Sequence, residues 1–126
     1  MSNKSINLFF IHGWGCRASD WEATCDYLAD AKPHIKTHRL TLPGHPEYSG
    51  NKTASTILEL ANYVASQLKV IPGTWLLAGH SMGGCVALEA AAQLKHNPQL
   101  QEIILVDTFG LPYGDMDQQT IDSVET

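Results

Sequence analysis

Gly79-His80-Ser81-Met82-Gly83 puts a serine between two glycines at G-x-S-x-G spacing. An apolar run, Trp75-Leu76-Leu77-Ala78, precedes it, and an alanine-rich stretch with helical patterning, Gly84 to Leu94, follows. Strand, glycine-bracketed serine and helix in that order are the sequence form of a nucleophile elbow. The small residues matter for steric reasons. They let strand and helix approach while the serine takes a strained backbone conformation at the tip of the turn. There its oxygen faces the positive end of the helix. The chemistry such a serine supports is attack on a carbonyl carbon. That requires a base to take the hydroxyl proton and amide donors to hold the oxyanion that forms. Ser81 is therefore the expected nucleophile, and the amide that follows it, Met82, is an expected oxyanion donor.

A residue in this role has to be held by a sheet, and the rest of the chain reads as one. Ile6 to Ile11 is almost wholly apolar, as in a strand buried on both faces. His12-Gly13-Trp14-Gly15 follows as a loop, and Ser19 or Asp20 caps a helix running to about Asp30, with Trp21, Cys25, Leu28 and Ala29 on one side. Ile35 to Leu42 is a less apolar strand, placed nearer an edge. Ala54 to Val70 repeats Ile57, Leu58, Ala61, Val64, Ala65 and Leu68 with the period of an amphipathic helix. Ile103 to Val106 is a fourth strand, ending at Asp107. The alternation β-α-β-α-β-α-β predicts an α/β fold: a parallel sheet of about four strands with helices on both faces.

Composition excludes several alternatives. One domain fits the 126 residues, and the net charge of -5 with no basic patch argues against nucleic acid or an anionic membrane as partner. The apolar stretch near the N-terminus is too short for a signal-peptide core or a membrane span. Three cysteines, Cys16, Cys25 and Cys85, without a C-x-x-C pair, fit neither a disulfide framework nor a zinc site, so a cytoplasmic protein with reduced thiols is expected. No metal or cofactor is expected. Gly13-x-Gly15-x-x-Ala18 fits the relaxed dinucleotide fingerprint, but its helix starts too late and no acid ends the second strand.

In order along the chain, these segments resemble the α/β-hydrolase family. His12-Gly13-Trp14-Gly15 resembles the family's HG-x-G oxyanion loop. Leu42-Pro43-Gly44-His45 with Ser49 resembles its D-x-P-G-x-G-x-S loop, with Thr41 where Asp is usual and Pro46 where Gly is usual. Gly79 to Gly84 is the elbow. The wording of the first loop is similar to small carboxylesterases of the biotin-precursor type. The resemblance implies a carboxylesterase-like serine hydrolase that cleaves an ester, thioester or lactone of a small molecule through an acyl-enzyme on Ser81. It makes the Trp14 amide the second oxyanion donor beside Met82. It also implies the strand order second, first, third, fourth, and a triad completed by an acid and a histidine later in the chain.

The resemblance covers the N-terminal half of the fold: residues 1–110 read as a partial hydrolase core and 111–126 as a tail where a cap region would begin. The alternatives are a catalytically incomplete fragment or pseudoenzyme, or a half-enzyme completed by a partner chain. Among the six histidines, the resemblance makes His12 a support of its loop. His80 should point away from Ser81, and His45 is the nearest substitute base. Asp107 reads as a triad acid or as a cap of the following segment. Trp14, Met82 and the residues after Asp107 suggest an apolar lining for the substrate pocket. The fourth strand is expected to form an open edge that pairs with a second copy or a partner chain, is covered by the acidic tail, or leads to aggregation.

Overall fold

The computed structural model describes residues 5–51 and 53–108; the expected tail, 111–126, lies outside them. Four strands form one parallel sheet: β1 (Ile6–Ile11), β2 (Ile35–Leu40), β3 (Thr74–His80) and β4 (Leu100–Val106). Their spatial order is β2-β1-β3-β4, the order the family resemblance implies. A 3₁₀ turn (Ala18–Trp21) leads into α1 (Glu22–Ala31), and α2 (Ile57–Lys69) and α3 (Met82–Gln93) complete the described helices.

Side-chain alternation sorts the strands onto two faces. Phe9 and Ile11 of β1 and Trp75 and Leu77 of β3 face α2 and α3, packing with Leu60, Val64, Leu68, Val86 and Ala90. Leu8, Phe10 and Ala78 face the other way, onto Cys25 of α1 with Trp21 and Leu28 alongside. Helices thus cover both faces, with α1 packed against residues of β2, β1 and β3.

The helix faces differ from expectation at two places. Leu58 is exposed, and Leu60 takes its place in the core. Ala29 is exposed as well, because on α1 only Cys25 is buried. α2 starts at Ile57, three residues later than expected, because Thr56 caps it. The Thr56 hydroxyl accepts from the Glu59 amide, and Glu59 reaches back to the Thr56 amide. The region Gly13 to Ala18 is a loop, with Gly15 at φ 74° and the first helical turn beginning at Ala18. A dinucleotide fingerprint needs its helix to open inside the motif, so this geometry does not fit one.

Candidate active site

β3 ends at His80 and α3 starts at Met82, two residues earlier than the sequence pattern suggests. Between them Ser81 has φ 55° and ψ −121°, a conformation costly for any residue with a side chain. Glycines make the turn feasible. A Cβ on Gly79 would strike the backbone of Gly83 and lie 2.7 Å from Gly84 Cα, and one on Gly83 would strike the carbonyls of Ile11 and His12. α3 therefore enters in contact with the ends of both β1 and β3. Ser81 N–H donates to the Val106 carbonyl at 2.9 Å, and the Ser81 carbonyl accepts from Gly84 N–H at 2.9 Å. The serine is half-buried, and its Oγ has no hydrogen-bond partner among the described residues. As the first residue of α3, Met82 has an N–H with no intrahelical acceptor.

The loop after β1 lies against this turn. A Cβ on Gly13 would sit 3.4 Å from Ser81 Cβ and 3.3 Å from the His80 carbonyl, so the loop backbone passes close beside the elbow. The amide of Cys16 donates to the Gly13 carbonyl at 3.1 Å and closes the loop. His12 is buried and engaged at both ring nitrogens: Nδ1–H donates to the Gly13 carbonyl (2.9 Å), and Nε2 accepts from Leu42 N–H (3.1 Å). The Leu42 amide can only donate, which fixes the tautomer. Burial lowers the pKa of this imidazole and keeps it neutral. His12 thus ties the loop after β1 to the loop after β2 and has no nitrogen left for Ser81.

The second loop is fixed from outside too. Glu47, at φ 76°, accepts from the Ser19 hydroxyl (2.7 Å) and the Ser19 amide (3.1 Å), and these bonds hold its carboxyl below the usual range. This clamp is invisible in the sequence pattern; a polar pair 28 residues apart has no periodic signature.

The Trp14 indole is exposed and stands edge-on to His45, whose ring is 5.1 Å away, with the His12 ring 5.0 Å on the other side. His45 Nδ1 meets the Pro43 carbonyl at 3.2 Å, while its buried Nε2 has no partner among the described residues. His80 projects to the α1 face beside Trp21, as alternation along β3 requires. His38 is part of a polar pair in the sheet, bonded to Asn7 Oδ1 at 2.9 Å and stacked on Phe9. His34 is exposed before β2, and His96 is exposed beyond the C-terminus of α3. Asp107 is exposed at φ 53°, and its carboxylate bonds to no histidine among the described residues.

A hollow of about 370 Å³ opens on the α1 side of the elbow, lined by His12, Cys16, Asp20, Trp21, Thr24, His80 and Val106. Two histidines and a carboxylate stand in this wall beside the apolar surface of Trp21 and Val106. The Met82 side chain is instead buried in the core under α3, leaving only its backbone at the turn. No cluster of three or more metal-ligating side chains occurs among the described residues.

Comparison with known proteins matches this arrangement. The thioesterase domain family matches residues 7–123. The pimeloyl-[acyl-carrier protein] methyl ester esterase of Vibrio cholerae is 29% identical over 106 residues, which are 84% of this chain and 38% of that protein. Its counterpart in Yersinia enterocolitica is 31% identical over 102 residues, 81% of this chain and 36% of that protein. The match lies in the N-terminal part of these relatives, so the chain spans less than two fifths of their length. Among solved structures, a lipase-esterase related protein from Clostridium acetobutylicum superposes with TM-score 0.71 and 25% identity, covering 96% of this chain and 49% of that one. The RedJ thioesterase of Streptomyces coelicolor gives TM-score 0.68 at 24% identity, covering 82% and 39%, and so shares the fold. Matched to the family model over residues 7–123, the chain belongs to the thioesterase domain family of α/β-hydrolases.

Proposed function

We propose that Ser81 is the nucleophile of a serine hydrolase that cleaves an ester, thioester or lactone of a small acyl molecule in the protein's complete form. The observation that carries this reading is the backbone of Ser81. A φ of 55° with ψ −121° at a non-glycine residue costs about 1–3 kcal/mol, and such strain is concentrated where a side chain must be presented for chemistry. The flanking glycines and the α3 N-terminus direct that presentation toward the C-terminal edge of the sheet, the end where ligands bind in open α/β folds.

In the proposed reaction a base removes the Ser81 proton as Oγ bonds to the substrate carbonyl carbon. The tetrahedral oxyanion is held by the N–H groups of Met82 and Trp14. Collapse breaks the carbon–oxygen or carbon–sulfur bond, and the alcohol or thiol leaves with the proton returned by the base. Water, activated by the same base, then frees the acid from Ser81. The close approach of Gly13 to Ser81, where an added Cβ would lie 3.4 Å from the Ser81 Cβ, supports the Trp14 assignment, because it sets the backbone of the first loop beside the nucleophile. The relatives' activities, a methyl ester esterase and a thioesterase, both remove an acyl group from its alcohol or thiol, and this chemistry is what we assign here.

The test is covalent labelling with an alkyl fluorophosphonate on the chain supplied with a complementing C-terminal hydrolase segment. The expected result is one adduct, mapped to the Ser81 peptide and absent from Ser81→Ala. An adduct that persists in Ser81→Ala, or none at all, refutes the assignment.

A further inference from the structure

Among the described residues, a single buried side-chain polar atom meets no hydrogen-bond partner: Nε2 of His45. The residue is only 8% exposed, and a buried acceptor is costly unless a donor reaches it. The other nitrogen fixes the tautomer. Nδ1 lies 3.2 Å from the Pro43 carbonyl, which can only accept, so Nδ1 carries the hydrogen and Nε2 presents a bare lone pair.

Neither ring beside it supplies the missing donor. His12 gives its Nδ1–H to the Gly13 carbonyl, and its Nε2 accepts from the Leu42 amide, so it has no hydrogen left to offer. The Trp14 indole meets the His45 ring at 5.1 Å and 89°, a packing contact without a hydrogen bond to Nε2. The loop also keeps the ring from turning away. His45 N–H donates to the Leu42 carbonyl at 3.2 Å, the His45 carbonyl accepts from Tyr48 N–H at 3.1 Å, and Ser19 clamps Glu47 two residues on. His45 thus holds a fixed acceptor between the loops after β1 and β2, at the C-terminal end of the strands, where open α/β sheets bind ligands. The nucleophile is close along the same loop. Gly13 passes Ser81 with an added Cβ at 3.4 Å from the Ser81 Cβ, and the next residue, Trp14, is the one packed on His45.

Resting on the reading of Ser81 as nucleophile, we infer that His45 is a substrate-binding residue. Its Nε2 accepts a hydrogen bond from an N–H or O–H carried by the acyl group or the leaving group. The Trp14 indole packs on the stretch between that donor and the scissile carbonyl. The substrate class is therefore an ester or thioester with an amide or hydroxyl near the scissile bond, and a plain hydrocarbon ester binds less well.

The experiment is nitrogen-15 NMR of the imidazoles at a pH above the ordinary histidine range, in Ser81→Ala so that no probe is consumed. Loss of the signal in His45→Phe, which keeps a ring between His12 and Trp14, identifies Nε2. Two matched pairs of probes are titrated: S-butyryl-N-acetylcysteamine with its N-methylated amide, and hydroxyethyl butyrate with methoxyethyl butyrate. The first pair tests an amide donor and the second a hydroxyl. At least one donor-bearing probe should bind saturably and move Nε2 upfield, as accepting a hydrogen bond requires. Its methylated counterpart should bind about two- to tenfold more weakly and leave Nε2 in place. In His45→Phe the members of each pair should bind equally. If that variant does not fold, His45→Gln identifies the signal and, with a side-chain oxygen that accepts, should keep the preference for the donor. The site is overturned if no probe moves Nε2 or if methylated probes move it equally. It is overturned too if Nε2 already resonates as a hydrogen-bonded nitrogen in the chain alone and stays there. Fluorophosphonate labelling is read apart from this. A shifted Nε2 with Ser81 never labelled keeps the binding site and removes the hydrolase reading, whereas labelled Ser81 with an unmoved Nε2 removes only the role of His45.

Discussion

Replacing Ser81 by glycine should make the protein more stable than replacing it by alanine. Alanine keeps the Cβ and with it the penalty of φ 55°, ψ −121°, while removing only a hydroxyl that has no partner among the described residues. Ser81→Ala should therefore match the parent closely. Glycine removes the Cβ and recovers about 1–3 kcal/mol of strain. Against this stands the extra backbone freedom glycine gives the unfolded chain, about 0.5–1 kcal/mol. The balance favours glycine over alanine by about 0–2.5 kcal/mol, or up to about 10 °C in Tm for a domain of this size. Urea unfolding followed by far-UV circular dichroism of parent, Ser81→Ala and Ser81→Gly measures it, with equal m-values as the check that the unfolded states are comparable. Glycine less stable than alanine by the full unfolded-state cost of about 0.5–1 kcal/mol would show that the turn at residue 81 stores no strain, and the structural basis for the nucleophile assignment would be lost.

Two further outcomes follow from the same site. Gly83→Ala should destabilise by about 1–3 kcal/mol, read as a lower urea midpoint, because its Cβ meets the backbone carbonyls of Ile11 and His12 instead of a flexible side chain that can yield; an unchanged midpoint would mean that α3 does not enter against β1. Stability should also fall on acidification through His12, whose pKa burial lowers. Its neutral form contributes in full above the unfolded value of about 6.5, and that contribution is lost as pH drops through the folded pKa. Comparing urea midpoints of parent and His12→Asn between about pH 7.5 and pH 5 separates this contribution from that of His38, which burial also lowers, and from Glu47, whose loss falls below the ordinary carboxylate range. Parallel pH profiles for parent and variant would exclude it.

The elements were legible in the sequence wherever period and burial coincide. β1 is apolar at nearly every position and lies inside the sheet, so its bounds, Ile6–Ile11, are read directly. β2 betrayed its edge position through Lys36, His38 and Arg39. α2 carries a capping box that fixes its start better than hydrophobic spacing does. The first six residues of α3, Met82 to Ala87, are all buried, so they show no amphipathic stripe, and the pattern placed the helix start two residues late. At the site, Ser81 and its glycines are local and could be read from the motif alone. The supports are not local. The contact of Gly13 with Ser81, the bond from Leu42 N–H to His12 and the clamp of Glu47 on Ser19 join segments up to 68 residues apart, and no spacing rule in one dimension carries them.

These distant supports explain how the elbow keeps a conformation that Ser81 resists. A strained residue persists only when its surroundings leave it no better choice. Here the constraint comes from three directions. The Ile11 and His12 carbonyls stand against Gly83 from below, Gly13 stands against the Ser81 Cβ from the side, and the Val106 carbonyl holds the Ser81 amide from β4. The first two come from β1 and its loop, which are packed on both faces and locked by His12. The third comes from β4, an edge strand of the described sheet whose Ile104, Leu105 and Val106 are exposed. Two of the three restraints on the nucleophile are therefore anchored in the packed interior of the sheet, and the third depends on how firmly β4 is held.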